Sequence, residues 1–236
     1  MQPIGKDKWL EARQQHITAT GVPLLFGFNK FKSIRDLIEE KILGIKQEIQ
    51  DNVHIRRGKI LECAVLEALH FDLGITCKTF DSDILKTKYT NCALGFQSSP
   101  TKYDAYFYDD RIGLGATPDA YNANDQTQLI ECKAPQSTKL RIWKEAPPID
   151  YLVQCHVQMA VVPNTTSVIL GALFASSNLS LLAWRIQKDD EIVSIMTQTA
   201  ERFWKEGENF DVDYVQSGKL FQKIKGSYEL IHSSTE

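Results

Sequence analysis

GLGATPDAYNANDQTQLIECKAP, residues 113–135, is the stretch that decides the fold of this 236-residue chain. Apolar runs flank the turn-forming Asn122-Ala123-Asn124-Asp125, so two strands are expected, Leu114–Ala120 and Gln128–Ala134. A third run, Tyr103–Tyr108, precedes them, and together the three predict an antiparallel meander. Side chains at i and i+2 share a strand face, so Glu131 and Lys133 point one way and Cys132 the other. Asp119 lies twelve residues before Glu131, across the turn, and its place at a strand end brings a second carboxylate to the pair.

Two carboxylates and an ammonium meeting at a strand end make up the donor set that phosphodiester hydrolysis requires. Oxygen ligands suit Mg²⁺, which polarises a phosphate and acidifies water. Asp119 and Glu131 are the expected ligands, with the backbone carbonyl of Cys132 as a third oxygen. Lys133 is placed to orient the water and to offset charge on the phosphorane oxygens. An acid followed two places on by lysine is common by chance. The upstream Thr-Pro-Asp and the otherwise apolar strand LIECKAP give this one its weight.

Outward from this stretch the pattern is α/β. Ser33 can cap a helix running to Leu43 with Gly44 as its stop, and ILECAVLEALHF (residues 60–71) predicts a second helix. DYLVQCHVQMAV (150–161) predicts a third, followed by strands at Val168–Phe174 and Ser180–Gln187. A closing amphipathic helix starts near Asp189, with Ile192, Ile195, Met196, Thr199 and Phe203 at helical spacing. That order predicts a mixed central sheet flanked by helices. One domain is expected over 1–236: a helical part at 1–75, a catalytic sheet core at about 76–187, and a C-terminal helix and tail at 188–236. Glu62 shares a helical stripe with Leu66 and Leu69, so its carboxylate faces inward and needs a partner such as a metal. Tyr151, Gln154 and Gln158 share a helix face, and for the two glutamines exposed polar surface is an equally good reading. Arg13 reads, on its own residues, as a solvated charge on a short N-terminal helix.

Composition narrows the field. Hydrophobic residues make up 43% of the chain, enough for a core, and the net charge is −3. That balance counts against a nucleic-acid partner, but charge is unevenly spread: residues 1–60 hold eleven Lys/Arg against seven Asp/Glu, and residues 131–186 five against three. Cys63, Cys77, Cys92, Cys132 and Cys155 form no CxxC pair, which argues for a reduced, intracellular and cytoplasmic setting without a disulfide framework. No apolar leader or membrane span is expected. The histidines lack HxH or HExxH spacing, which argues against zinc hydrolysis, and no Walker or GxGxxG loop follows a strand.

Five blocks occur in order: WLEAR with ITAT (Trp9–Arg13, Ile17–Thr20), RGKILE (Arg57–Glu62), ATPDA (Ala116–Ala120), IECKAP (Ile130–Pro135) and YLVQCHVQM (Tyr151–Met159). Together, from Trp9 to about Val161, they resemble the PD-(D/E)XK nucleases, and within them the lambda-exonuclease or YqaJ-like viral recombinase group. The resemblance implies a restriction-endonuclease-like fold and a Mg²⁺-dependent 5′→3′ exonuclease. Such an enzyme degrades one strand of double-stranded DNA from 5′-phosphorylated ends and leaves 3′ overhangs for recombination. It also implies two metal ions, with Mn²⁺ able to substitute, a DNA-threaded homotrimer, a single-strand annealing protein as partner, and a viral or bacterial context. Asp119, Glu131 and Lys133 match the catalytic core, Glu62 the helical glutamate that assists metal or water, and Gln154 the glutamine behind the active site. Arg13, Thr20, Thr117 and Lys139 are similar to positions that hold the 5′ phosphate. This chain departs from the pattern by Thr for Ser at 20 and 117, by Lys for Arg at 139, and by one extra residue between Arg13 and ITAT. Lysine lacks the planar fork that grips phosphate bidentately. An endonuclease built on the same core and a non-catalytic DNA-end-binding recombination protein are the alternative readings, the second favoured by the acidic net charge.

Overall fold

A computed structural model of the chain describes residues 6–45, 53–80, 94–95, 106–175 and 179–234. Helix α1 (Lys6–Gln15), strand β1 (Ile17–Thr18), helices α2 (Val22–Leu25), α3 (Ile34–Lys41) and α4 (Val53–Leu73), and strands β2 (Cys77–Lys78) and β3 (Leu94–Gly95) come first. Strands β4 (Tyr106–Asp109), β5 (Leu114–Ala116), β6 (Ala120–Asn122) and β7 (Gln128–Lys133) follow. A 3₁₀ turn at Ser137–Lys139 then leads into α5 (Leu140–Glu145), α6 (Ile149–Val161), β8 (Ser167–Ala175) and β9 (Leu179–Gln187). The chain closes with α7 (Asp190–Glu206), α8 (Tyr214–Ile224) and β10 (Tyr228–Ser233). Residues 103–105, the start of the first expected strand, and Cys92 lie outside the described residues.

The expected meander is divided. The strand read as Leu114–Ala120 ends at Ala116, and the chain resumes at Ala120 in a different sheet. Pro118 supplies the reason: it has no N–H to give to a ladder and its fixed φ bends the chain away. A four-stranded sheet has the order β1-β5-β4-β3, and a six-stranded sheet the order β10-β9-β8-β7-β6-β2. The larger sheet is mixed, with β7 and β8 parallel and its other pairs antiparallel. The expected mixed sheet flanked by helices is therefore the observed architecture.

Alternation along the strands sorts the core into two layers. Leu129 in β7, and Val168, Leu170, Ala172 and Phe174 in β8, pack with α6, while Ile130, Ile169 and Leu173 pack with Val65 and Leu69 of α4. Helix α6 sits between the two sheets and is buried along almost its whole length. Helix α4 covers the opposite face of the larger sheet, and it begins at Val53, a turn and more before the apolar run that predicted it. Helix α3 starts at a capping box, Ser33 with Asp36, and stops at Lys41, short of the expected Leu43.

Gly115 shows how tightly the smaller sheet is built. A methyl group there would overlap the hydroxyl and ring of Tyr106, which is fully buried. Gly115→Ala is expected to cost about 2–3 kcal/mol through overpacking, read as a lower urea midpoint with an unchanged slope.

Candidate active site

Strand β7 leaves its apolar run at Glu131, and the period of two turns Glu131 and Lys133 toward α6. Glu131 is 2% exposed, so its carboxylate needs partners. It has three: Lys133 Nζ and Gln154 Nε2 (2.6 Å) donate to Oε1, and Gln158 Nε2 (2.5 Å) donates to Oε2. A carboxylate offers about four lone-pair sites, so this arrangement fixes Glu131 in place and leaves one site on Oε2.

Asp119 approaches from the break before β6, and its Oδ2 accepts the backbone N–H of Cys132 at 2.7 Å. The ring of Tyr151, in the first turn of α6, lies 4.8 Å beneath the Lys133 ammonium, a cation–π contact. Glu62, Asp119, Glu131, Cys132, Lys133 and Tyr151 line one cavity of about 320 Å³. Behind it, Arg57 donates to the Pro135 carbonyl at 3.0 Å and ties α4 to the end of the IECKAP block.

Electrostatics follow from this crowding. Burial, and then the neighbouring Glu131 carboxylate, push the Asp119 carboxyl well above its usual range, against the pull of Lys133 and the Cys132 amide. Burial alone would lower Lys133, but Glu131 and Asp119 outweigh it and hold the amine protonated. Burial, with Asp119 and Glu131 beside it, raises the Cys132 thiol well above normal, so the sulfur is held protonated.

The donors facing the cavity are oxygens, and two carboxylates repel one another across it. A hard divalent cation would satisfy both conditions; Asp119 and Glu131 could hold it, with the Cys132 carbonyl as the expected third ligand. When bound, such an ion would polarise the scissile phosphate and lower the pKa of an attacking water. Glu62 rises from α4 and lines the same cavity, near enough for its charge to act on Asp119 and Cys132. Among the described residues no group of three His, Cys, Asp or Glu side chains is placed to share one ion.

The model for the YqaJ-like viral recombinase domain matches residues 8–167. The chain belongs to this family. No curated protein matches it. Among solved structures, the alkaline exonuclease LHK-Exo of Laribacter hongkongensis aligns with a TM-score of 0.61 at 22% identity, over 94% of this chain and 99% of that one. The same protein in complex with dAMP gives 0.62 at 21%, over the same shares of each chain. A phage-related exonuclease from Haemophilus somnus 129PT gives 0.53 at 10%, over 89% and 95%. These likenesses establish the fold.

In this YqaJ-like chain the four residues expected to hold a phosphate come from four segments: α1, the ends of β1 and β5, and the 3₁₀ turn before α5. Parallel pairing of Thr18 with Gly115 runs Thr20 and Thr117 out of adjacent strands at the same offset. The Thr117 hydroxyl is buried without a hydrogen-bond partner among the described residues, while that of Thr20 meets Thr18 at 3.2 Å. Arg13 stands in the last turn of α1, where Lys41 Nζ donates to its carbonyl at 2.7 Å, and its guanidinium lies 5.9 Å from the Tyr106 ring centre. Lys139 stands exposed on the 3₁₀ turn, with no side-chain hydrogen bond or ion pair among the described residues. Gln158 and Tyr151 are the site residues that sequence reasoning did not select. Their shared helix face with Gln154 was the available signal, and the structure resolves it toward burial, at 0% exposure for Gln158 and 7% for Gln154.

Proposed function

We propose that this protein is a Mg²⁺-dependent exonuclease that degrades one strand of duplex DNA from its 5′-phosphorylated end and leaves a 3′ overhang. The observation that carries the reading is the Glu131 carboxylate, held by Lys133, Gln154 and Gln158 beside Asp119 in a single cavity. Membership of a viral recombinase family and a fold shared with proteins named as exonucleases support the reading. The glutamines orient Glu131, Asp119 completes the anionic pair that would hold the cation, and Lys133 supplies a fixed positive charge for the phosphate in flight. Two ions, Mn²⁺ as a substitute, a ring of three copies around the duplex and a single-strand annealing partner belong to the same reading. Light scattering tests the ring.

The decisive assay compares linear duplex with 5′-phosphate or 5′-hydroxyl ends, nicked circle and closed circle. Mononucleotides should appear from the phosphorylated linear DNA, stop on chelation with EDTA and return with Mg²⁺. Cutting of the closed circle would replace this reading with an endonuclease. Absence of any Mg²⁺-stimulated cleavage would replace it with a DNA-end-binding protein.

A further inference from the structure

The turn between α2 and α3 runs Gly27-Phe28-Asn29-Lys30-Phe31-Lys32. Its tip is held outward by Asn29, whose Oδ1 accepts the backbone amides of Phe31 (2.8 Å) and Lys32 (2.9 Å). Phe31 is 95% exposed between two exposed lysines. A phenyl ring fixed in that position adds nothing to the core and keeps its full apolar area in water.

The turn continues into a second aromatic element. Phe28 places its ring 6.4 Å from that of Phe221 on α8, and Tyr214, at the start of α8 and 76% exposed, lies beside Gly27. Tyr214, Gly218, Phe221 and Lys225 follow one another at i, i+4, i+7 and i+11, a single helical stripe. Gly218 leaves the floor between the rings open, and the Lys225 ammonium sits 4.3 Å from the Phe221 ring centre. From Tyr214 to Tyr228 the chain has three lysines and no acidic residue, although the net charge of the whole protein is −3. Lys223 is engaged by Glu191 and Lys219 stands on another face of the helix, which leaves Lys225 to the stripe. Helix α2 packs on α6, and the charge of Lys30 in the turn acts on Asp150, which precedes Tyr151 of the active cavity in the first turn of α6.

We propose that the Phe31 turn and the Tyr214–Phe221–Lys225 stripe form a track for single-stranded DNA. Resting on the exonuclease reading, the track takes up the strand that hydrolysis leaves unpaired. A duplex hides the faces of its bases, whereas unpaired bases stack on aromatic rings while lysines follow the phosphates. The alternation of exposed rings with positive charge fits that occupant better than an apolar protein partner, for which the lysines would have to be desolvated.

The test is fluorescence anisotropy with a labelled oligo(dT) and a labelled blunt hairpin duplex in EDTA, using the full chain and its Phe31→Ala and Tyr214→Ala variants. Both side chains are exposed, so folding should survive. Each substitution is expected to weaken oligo(dT) binding by about fivefold or more, with hairpin affinity within about twofold. Lys225→Gln should weaken oligo(dT) binding less at high salt than at low salt. Unchanged oligo(dT) affinity, or equal loss on the hairpin, would overturn the track. A fall in solution mass in the two aromatic variants would overturn it in favour of a second copy. If the unsubstituted protein bound oligo(dT) through these residues yet released no nucleotide in Mg²⁺, the track would stand and the exonuclease reading would fall.

Discussion

Lys133→Ala should slow nucleotide release from a 5′-phosphorylated duplex by about 10²- to 10³-fold, the usual cost of losing one preorganised group that stabilises transition-state charge. The geometry sets that expectation. Lys133 is held by the Glu131 carboxylate and by the Tyr151 ring, so its charge is in place before a substrate arrives. Loss of the ammonium also leaves Glu131 and Asp119 less compensated. Breaking a fully buried pair costs about 3–5 kcal/mol, but the 19% exposure of the Lys133 side chain lets water screen part of it, so about 1–2 kcal/mol is expected here. Single-turnover rates with duplex in excess Mg²⁺, alongside duplex binding and circular dichroism, separate the effects. A folded variant that binds duplex normally and still cuts within about tenfold of the parent would remove Lys133 from the chemistry.

The second large effect is on stability in acid. His156 is fully buried on α6, its Nε2 lies 3.0 Å from the Ser227 hydroxyl and its Nδ1 has no partner among the described residues. Burial, opposed by Asp189, pushes its pKa down to about 4 from 6.5. The folded protein therefore holds a neutral ring over a range where the unfolded chain binds a proton. Stability from this residue is complete above about pH 6.5 and is lost as pH falls toward 4, by about 3 kcal/mol in total. For a chain of this length that corresponds to about 6–12 °C in melting temperature. Asp119 acts in the opposite direction, because its raised folded pKa favours the folded state as pH falls. The difference between the protein and its His156→Gln variant isolates the histidine. The variant should lose most of the parent's steepening between pH 6.5 and 4, and parallel curves would show that His156 does not carry the acid sensitivity.

Much of this molecule could be read from its residues in order. The i, i+2 spacing of Glu131 and Lys133 fixed their shared face, and the ladder kept it. The apolar runs that became α6, β8 and β9 were legible because their burial is dictated by composition, and Ser33 with Asp36 announced the start of α3 through local hydrogen bonds. Helix α8 and strand β10 were not among the expected elements, since much of each is exposed and each is placed by its neighbours, α7 and β9 respectively.

The amino-acid order by itself determined the pairing of chemistries: an acid and a lysine on one strand face, an aspartate a turn away, and a mixed α/β frame to carry them. Only the tertiary structure decided that Pro118 splits the meander between two sheets, that Gln154 and Gln158 point inward, and that Glu62 reaches the cavity from α4. The physical reason is that periodicity assigns a residue to a face of its own element. Which neighbouring element covers that face depends on contacts between residues far apart in the chain, such as α6 laying its glutamines against a carboxylate more than twenty residues earlier.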